Sequence, residues 1–94
     1  MSKNFRIIKD HNGTIQSAYS YNTCIMARLP NGRVVLNENR YGTTTAKHQC
    51  NVRCALSMNE LQRAANVVNA GYNLTEQSLI ALAFKSNRDA INHD

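Results

Sequence analysis

Apolar and polar residues alternate with a period of two through the first part of the chain and recur at helical spacing through the rest. Phe5-Arg6-Ile7-Ile8-Lys9 reads as a strand over about residues 4–9, ended by Asp10-His11-Asn12-Gly13, in which Asn-Gly is a strong hairpin signal. Ile15, Ser17 and Tyr19 alternate with Gln16, Ala18 and Ser20, predicting a second strand over 14–20 with a partly polar face, hence a sheet covered on one side only. Tyr21-Asn22 bends or breaks it. Thr23-Cys24-Ile25-Met26-Ala27-Arg28-Leu29 is apolar at nearly every position before Arg28 and reads as the central strand. Pro30-Asn31-Gly32 then turns the chain into a fourth strand, Arg33 to Asn37. Strands over about 4–37, joined by short turns, make an antiparallel β-meander that needs an apolar cover.

The remaining residues supply it as two to three α-helices over about 44–88. Thr44 or Thr45 caps the first, and Ala46, Cys50 and Cys54 at i, i+4 and i+8 form a stripe of small residues for close approach to the sheet. Lys47, His48, Asn51 and Arg53 make its outer, mostly basic face. Ser57-Met58-Asn59-Glu60 is a capping box that opens a second helix, through Leu61, Ala64, Ala65 and Val68 to a terminal Gly71. Thr75 caps the third, with Leu74 and Leu79 as a hydrophobic staple and Leu79, Leu82, Ala83 and Phe84 towards the core. From Asn87 the residues are polar and fraying is expected. Strands followed by helices, without repeats or a linker, predict a single α+β domain over 1–94.

Composition adds charge and compartment. Ninety-four residues, 43% of them hydrophobic, fit one small core. No run of eighteen apolar residues occurs and the first six residues are too polar to open a secretory signal, so the expectation is a cytoplasmic protein with no membrane partner. Cys24, Cys50 and Cys54 are then expected as reduced, mostly buried thiols. The net charge of +5 is uneven: residues 1–53 hold eight Lys and Arg against two carboxylates (+6), residues 54–94 three against four (−1). Such asymmetry points to an anionic partner, nucleic acid or an acidic protein face, with Arg28, Arg33, Arg40, Lys47 and Arg53 as the candidate contacts. A basic surface that only maintains solubility is the alternative.

Four constellations bear on chemistry. The cysteines and His48 are zinc-ligand types, yet neither a Cys-x-x-Cys knuckle nor a His-x-x-x-His pair occurs, so no metal and no cofactor are expected. No carboxylates pair at helical spacing, His11 falls in a turn and His93 next to the end, leaving His48 as the one histidine on a regular element; no catalytic residue is assigned and no enzyme is expected. Gly42-Thr43-Thr44-Thr45 entering a helix, with Lys47 in its first turn, has the parts of an anion site, although the threonines can equally serve to turn and cap the chain. Tyr19 and Tyr21, on one side of an extended stretch near Arg28 and Arg33, would make a stacking platform for a single strand or a half-buried sheet edge.

Tyr41-Gly42-Thr43-Thr44-Thr45-Ala46-Lys47-His48, preceded by a Gly-turn hairpin ending in Leu36-Asn37-Glu38 and by Ser20-Tyr21-Asn22-Thr23, resembles a family of small phage and prophage proteins of unknown function carrying a Tyr-Ser-x-Thr-Thr-x-x-His pattern. Tyr41, Thr44, Thr45 and His48 fit it, and Gly42 stands in place of the serine. The likeness spans about residues 19 to 50 and implies a bacteriophage context, in which small proteins commonly bind and block or redirect a host machine. The expectation is a non-enzymatic binding protein acting on a host protein or ribonucleoprotein complex, for example a CRISPR or other defence complex, in the host cytoplasm. Its alternatives are a direct nucleic-acid-binding regulator and a protein that sequesters or acts on a nucleotide signal at Thr43–Thr45.

Overall fold

A computed structural model describes residues 4–68 and 70–92; the expectations that rest on Met1 to Lys3 and on His93 lie outside the described residues. Strands β1 (Phe5–Lys9), β2 (Ile15–Ser20), β3 (Thr23–Arg28) and β4 (Val34–Asn37) follow one another as an antiparallel meander. The chain then forms α1 (Thr43–Ala55) and α2 (Met58–Arg63), adds a short strand β5 (Ala65–Val67) and ends in α3 (Glu76–Asn92). Sheet order is β1-β2-β3-β4-β5, and β5 pairs parallel to β4, so the α+β fold has a mixed sheet.

Both Asn-Gly sequences turn hairpins. Asp10 N–H donates to Thr14 O and Gly13 N–H to Asp10 O; Leu29, Arg33 and Gly32 repeat the pattern at the second turn. Gly13 (φ 83°) and Gly32 (φ 93°) occupy the left-handed position that closes such a three-residue loop. Tyr21-Asn22 is the whole connection between β2 and β3, with Tyr21 itself at φ 55°, a conformation a bulky side chain adopts at a cost.

The second half departs from its periodicity. The capping box forms in full: Glu60 N–H donates to Ser57 Oγ (3.2 Å) and Ser57 N–H to Glu60 Oε2 (2.9 Å). The helix it opens nevertheless stops at Arg63, not at Gly71. Ala65 and Val67, apolar about an exposed Asn66, suit a strand as well as a helix, and β4 has an open edge for them to pair with; the ladder takes the segment. The expected four-stranded antiparallel meander is therefore present and is extended by β5 into a mixed five-stranded sheet. α3 continues to Asn92, through the stretch where the polar composition predicts fraying.

The sheet is covered on both faces, which corrects the expectation of one. Ile15, Ala18, Ile25, Met26, Val34 and Leu36 pack against Val52 and Leu56 at the α1 side. Cys24, Ala27, Leu29, Val35, Ala65 and Val67 pack against Leu74, Leu79 and Ala83 at the α3 side, with Ile80, Leu82 and Phe84 alongside. β3 and β4 are buried at almost every position, and the unbroken apolar run of Cys24 to Ala27 is the mark of such two-sided burial. Thr75 caps α3 as expected: Ser78 N–H donates to Thr75 Oγ1 (3.1 Å), and Leu74 and Leu79 are both buried.

Candidate functional site

The stripe of α1 that meets the sheet is Thr45, His48, Gln49 and Val52, spaced i, i+3, i+4, i+7. Ala46, Cys50 and Cys54 face outward, and both thiols are exposed. The expected small-residue stripe is thus on the wrong side, because polar residues with partners waiting on the sheet displace apolar ones of small area. Ser20 Oγ lies 2.7 Å from His48 Nδ1 and 2.9 Å from Thr45 Oγ1, all three buried. The Phe5 ring stacks on the imidazole at 4.8 Å and 13°, and Tyr21 tilts against it at 6.2 Å. Thr45 therefore bolts α1 to β2 and does not cap it. Gly42 is the N-cap, no side chain caps the helix, and no acidic residue sits in its first turn.

Gln49 and Asn37 shape the segment that leads into this helix end. Gln49 Nε2 donates to Asn37 O (2.7 Å) and Asn39 O (3.1 Å). Asn37 Nδ2 donates to Cys24 O (3.0 Å) and the Tyr41 hydroxyl (2.8 Å), while its Oδ1 accepts from Asn39 N–H (3.0 Å). The Tyr41 hydroxyl in turn donates a hydrogen bond to Gly71 O. Residues 38–42, tied down at Asn39 and Tyr41 by these bonds, wall a cleft of about 560 Å³ with Thr43, Ala46, Gln49 and Arg53. Arg53 Nη1 is 3.0 Å from Glu38 Oε2 at its rim, and Arg40 is exposed beside it. The uncapped N–H groups and Arg40 make this rim electropositive.

The expected contacts do not gather on one face. Arg40 and Arg53 line the cleft; Lys47 is exposed on α1 but does not line it. Arg33 lies at the Asn31-Gly32 turn beside Glu60 and Arg63. Arg28 is a clamp: its Nε donates to Ile15 O (2.7 Å), Nη1 to Gly32 O (2.9 Å) and Nη2 to Glu60 Oε1 (2.9 Å). The Ser57 N–H foremost, with Arg28 after it, holds the Glu60 carboxyl below its ordinary pKa. Of the motif residues, Tyr41, Gly42 and Thr43 line the cleft, Thr44 is exposed, and Thr45 and His48 point into the body.

The tyrosine platform does not form. Tyr19 lies towards α3, its hydroxyl accepting from Glu76 N–H (3.1 Å) and Arg6 resting 4.7 Å over its ring, whereas Tyr21 leans on His48 at the α1 side. The turn at Tyr21, with its positive φ of 55°, breaks the alternation that would have aligned them. Cys24, sealed at the α3 side, has its thiol pushed up to about 11 by burial. Among the described residues no three His, Cys, Asp or Glu stand close enough to hold a metal, and no helix is long and apolar enough to cross a membrane. The residues that sequence reasoning missed are Asn37, Gln49 and Tyr72; only Gln49, one turn after Thr45, had periodicity to mark it.

A mixed sheet with helices on both faces and a polar-stapled cleft at one helix end is the class of protein this chain represents. It belongs to a family of unknown function, DUF8033, whose profile matches residues 1–67. That match ends on the last residue of β5, so it holds the sheet, α1, α2 and most of the cleft's surroundings and leaves α3 outside. No curated protein and no solved structure matches the chain.

Proposed function

We propose that this is a non-enzymatic, phage-type binding protein that acts in the host cytoplasm and engages an anionic surface of a nucleic-acid-handling complex, such as a CRISPR or other defence assembly. The observation that carries the reading is the cleft: exposed Arg40 and the uncapped start of α1 share one rim, in the half of the chain that holds all of its excess positive charge. His48, the best placed titratable group, is engaged by Ser20 and covered by Phe5, which favours binding over catalysis. Lys47, exposed on the same helix outside the cleft, is a further cation of that half of the chain. The cleft volume favours one second reading, a nucleotide-sized ligand whose phosphate meets Thr43 and the helix end.

The test is capture of partners from a bacterial host lysate by the tagged protein and by Arg40→Glu/Lys47→Glu, with and without nuclease. Loss of capture by the double variant, at an unchanged melting temperature, is expected. Unchanged capture overturns the assignment. Capture that nuclease abolishes, and that weakens steeply with salt, assigns the contact to nucleic acid. Calorimetric titration with nucleotides tests the second reading, which a Thr43-independent isotherm refutes.

A further inference from the structure

Tyr72 is the most exposed aromatic side chain among the described residues, at 74%, and its ring meets Tyr41 edge-on at 5.3 Å and 71°. Tyr41 is fixed by Asn37 and Gly71, so Tyr72 leans on an immobile support and offers its outer face to solvent. On one side of the pair lies the cleft of Arg40. On the other lies a second groove, of about 450 Å³, between residues 70–74 and α3, floored by Ala70, Leu74 and Leu82 and ending at exposed Lys85. The tyrosine pair joins the two into one surface. Of the charged residues along it, Glu38 is occupied by Arg53, while Arg40 is exposed in the lining of the first cleft and Lys85 in that of the second.

We propose that this continuous surface is a peptide-docking site, and that it takes an extended acidic segment of a partner protein with a large apolar or aromatic side chain between its carboxylates. The apolar side chain would sit in the groove beside Tyr72, and carboxylates would meet Arg40 and Lys85. An exposed aromatic ring on a fixed neighbour, beside a groove floored by apolar side chains and with a cation towards either end, is an arrangement that concentrates binding energy in protein recognition. Single-stranded nucleic acid also stacks on tyrosine, but it needs cations at the repeat of the phosphates, and the groove beside Tyr72 holds one, Lys85, among Ala70, Leu74, Ala81 and Leu82. This inference rests on the binding reading above and names the partner's chemistry.

The experiment is selection of a displayed library of random short peptides on the immobilised full chain, followed by fluorescence anisotropy of the enriched peptides with wild type, Tyr72→Ala, Arg40→Glu and Lys85→Glu. Enrichment of acidic peptides with a central apolar or aromatic residue is expected, with a loss of about tenfold or more in affinity for Tyr72→Ala at unchanged stability, since an anchor of this kind dominates its interface. Peptides without acidic excess, or affinities that Tyr72→Ala leaves intact, overturn it. So does tighter, Tyr72-dependent binding of an oligouridylate, which would give the surface to nucleic acid. Should Arg40→Glu/Lys47→Glu abolish capture of the cellular partner while Tyr72→Ala does not, this inference falls and the proposed function stands. If neither variant has an effect, both fall.

Discussion

Two helices close the two faces of one sheet, and they do so by different chemistry. Under α1 the buried stripe is Thr45, His48 and Gln49 with a single large apolar residue, Val52, and most of its attachment is by directed bonds to Ser20, Asn37 and Asn39. Under α3 it is Leu79 and Ala83 with Ile80, Leu82 and Phe84 against Cys24, Ala27, Val35 and Val67, and the polar anchors come from the helix start and its lead-in: Glu76 N–H to Tyr19, Asn73 N–H to Thr23 Oγ1, and Cys24 N–H to Leu74 O. Apolar contact stabilises in proportion to area and tolerates small rotations; hydrogen bonds between buried groups fix one azimuth and one register. The polar face is the one beside the cleft, and the family match covers the whole of it while omitting α3. Orientation is specified where the candidate site is, and burial is supplied where it is not.

The largest expected effect tests whether the polar face still depends on its one large apolar residue. Val52→Asp places an unpaired charge where the wild type is 1% exposed and should abolish cooperative thermal unfolding, because the cost of burying that charge exceeds what a domain of this size can spare. Leu79→Ala, at a site 0% exposed on the other face, should cost about 2–5 kcal/mol in urea denaturation and leave a two-state transition. A variant at Val52 that melts like the wild type would show that α1 is held by its hydrogen bonds alone.

Next comes the staple itself. Ser20→Ala leaves His48 Nδ1 and Thr45 Oγ1 without their buried partner and should cost about 1–3 kcal/mol, in the range for a buried polar group deprived of its hydrogen bond. A denaturation midpoint indistinguishable from wild type would mean that water replaces the serine, and the contrast between the faces would lose its basis.

The Arg28–Glu60 clamp gives a pH signature. The folded carboxyl of Glu60 titrates below its unfolded value, so the stability it contributes is present at neutral pH and is lost as acidification carries the pH down through the folded value. Glu60→Gln should flatten the acid limb of a stability-versus-pH curve, and an unaltered limb would remove the clamp from the account.

The smallest effect is expected at the outer stripe of α1. Cys50→Arg, which the sequence pattern alone would place in the core and expect to unfold the chain, should change stability by no more than about 0.5 kcal/mol. In the native protein a thiol reagent should modify Cys50 and Cys54 and spare Cys24 until denaturant is added. Protection of Cys50 would return the small-residue stripe to the core.

The sequence by itself determined the features that short-range physics controls. Gly13 and Gly32 mark turns because they accept positive φ, Ser57 and Glu60 cap a helix because they lie one turn apart, and the strands of the meander alternate or run apolar according to how many faces they bury. The tertiary structure decided the rest. Whether Ala65 to Val67 continued a helix or joined β4 depended on an open edge that only the assembled meander provides. Whether α1 buried Ala46, Cys50 and Cys54 or Thr45, His48 and Gln49 depended on Ser20 and Asn37, residues distant in sequence that satisfy the polar stripe and reverse the ranking that hydrophobicity alone would give. The cleft and the Tyr41–Tyr72 surface belong to the same category: their walls come from segments about thirty residues apart, brought together by the bond from Tyr41 to Gly71, and no local pattern encodes that meeting.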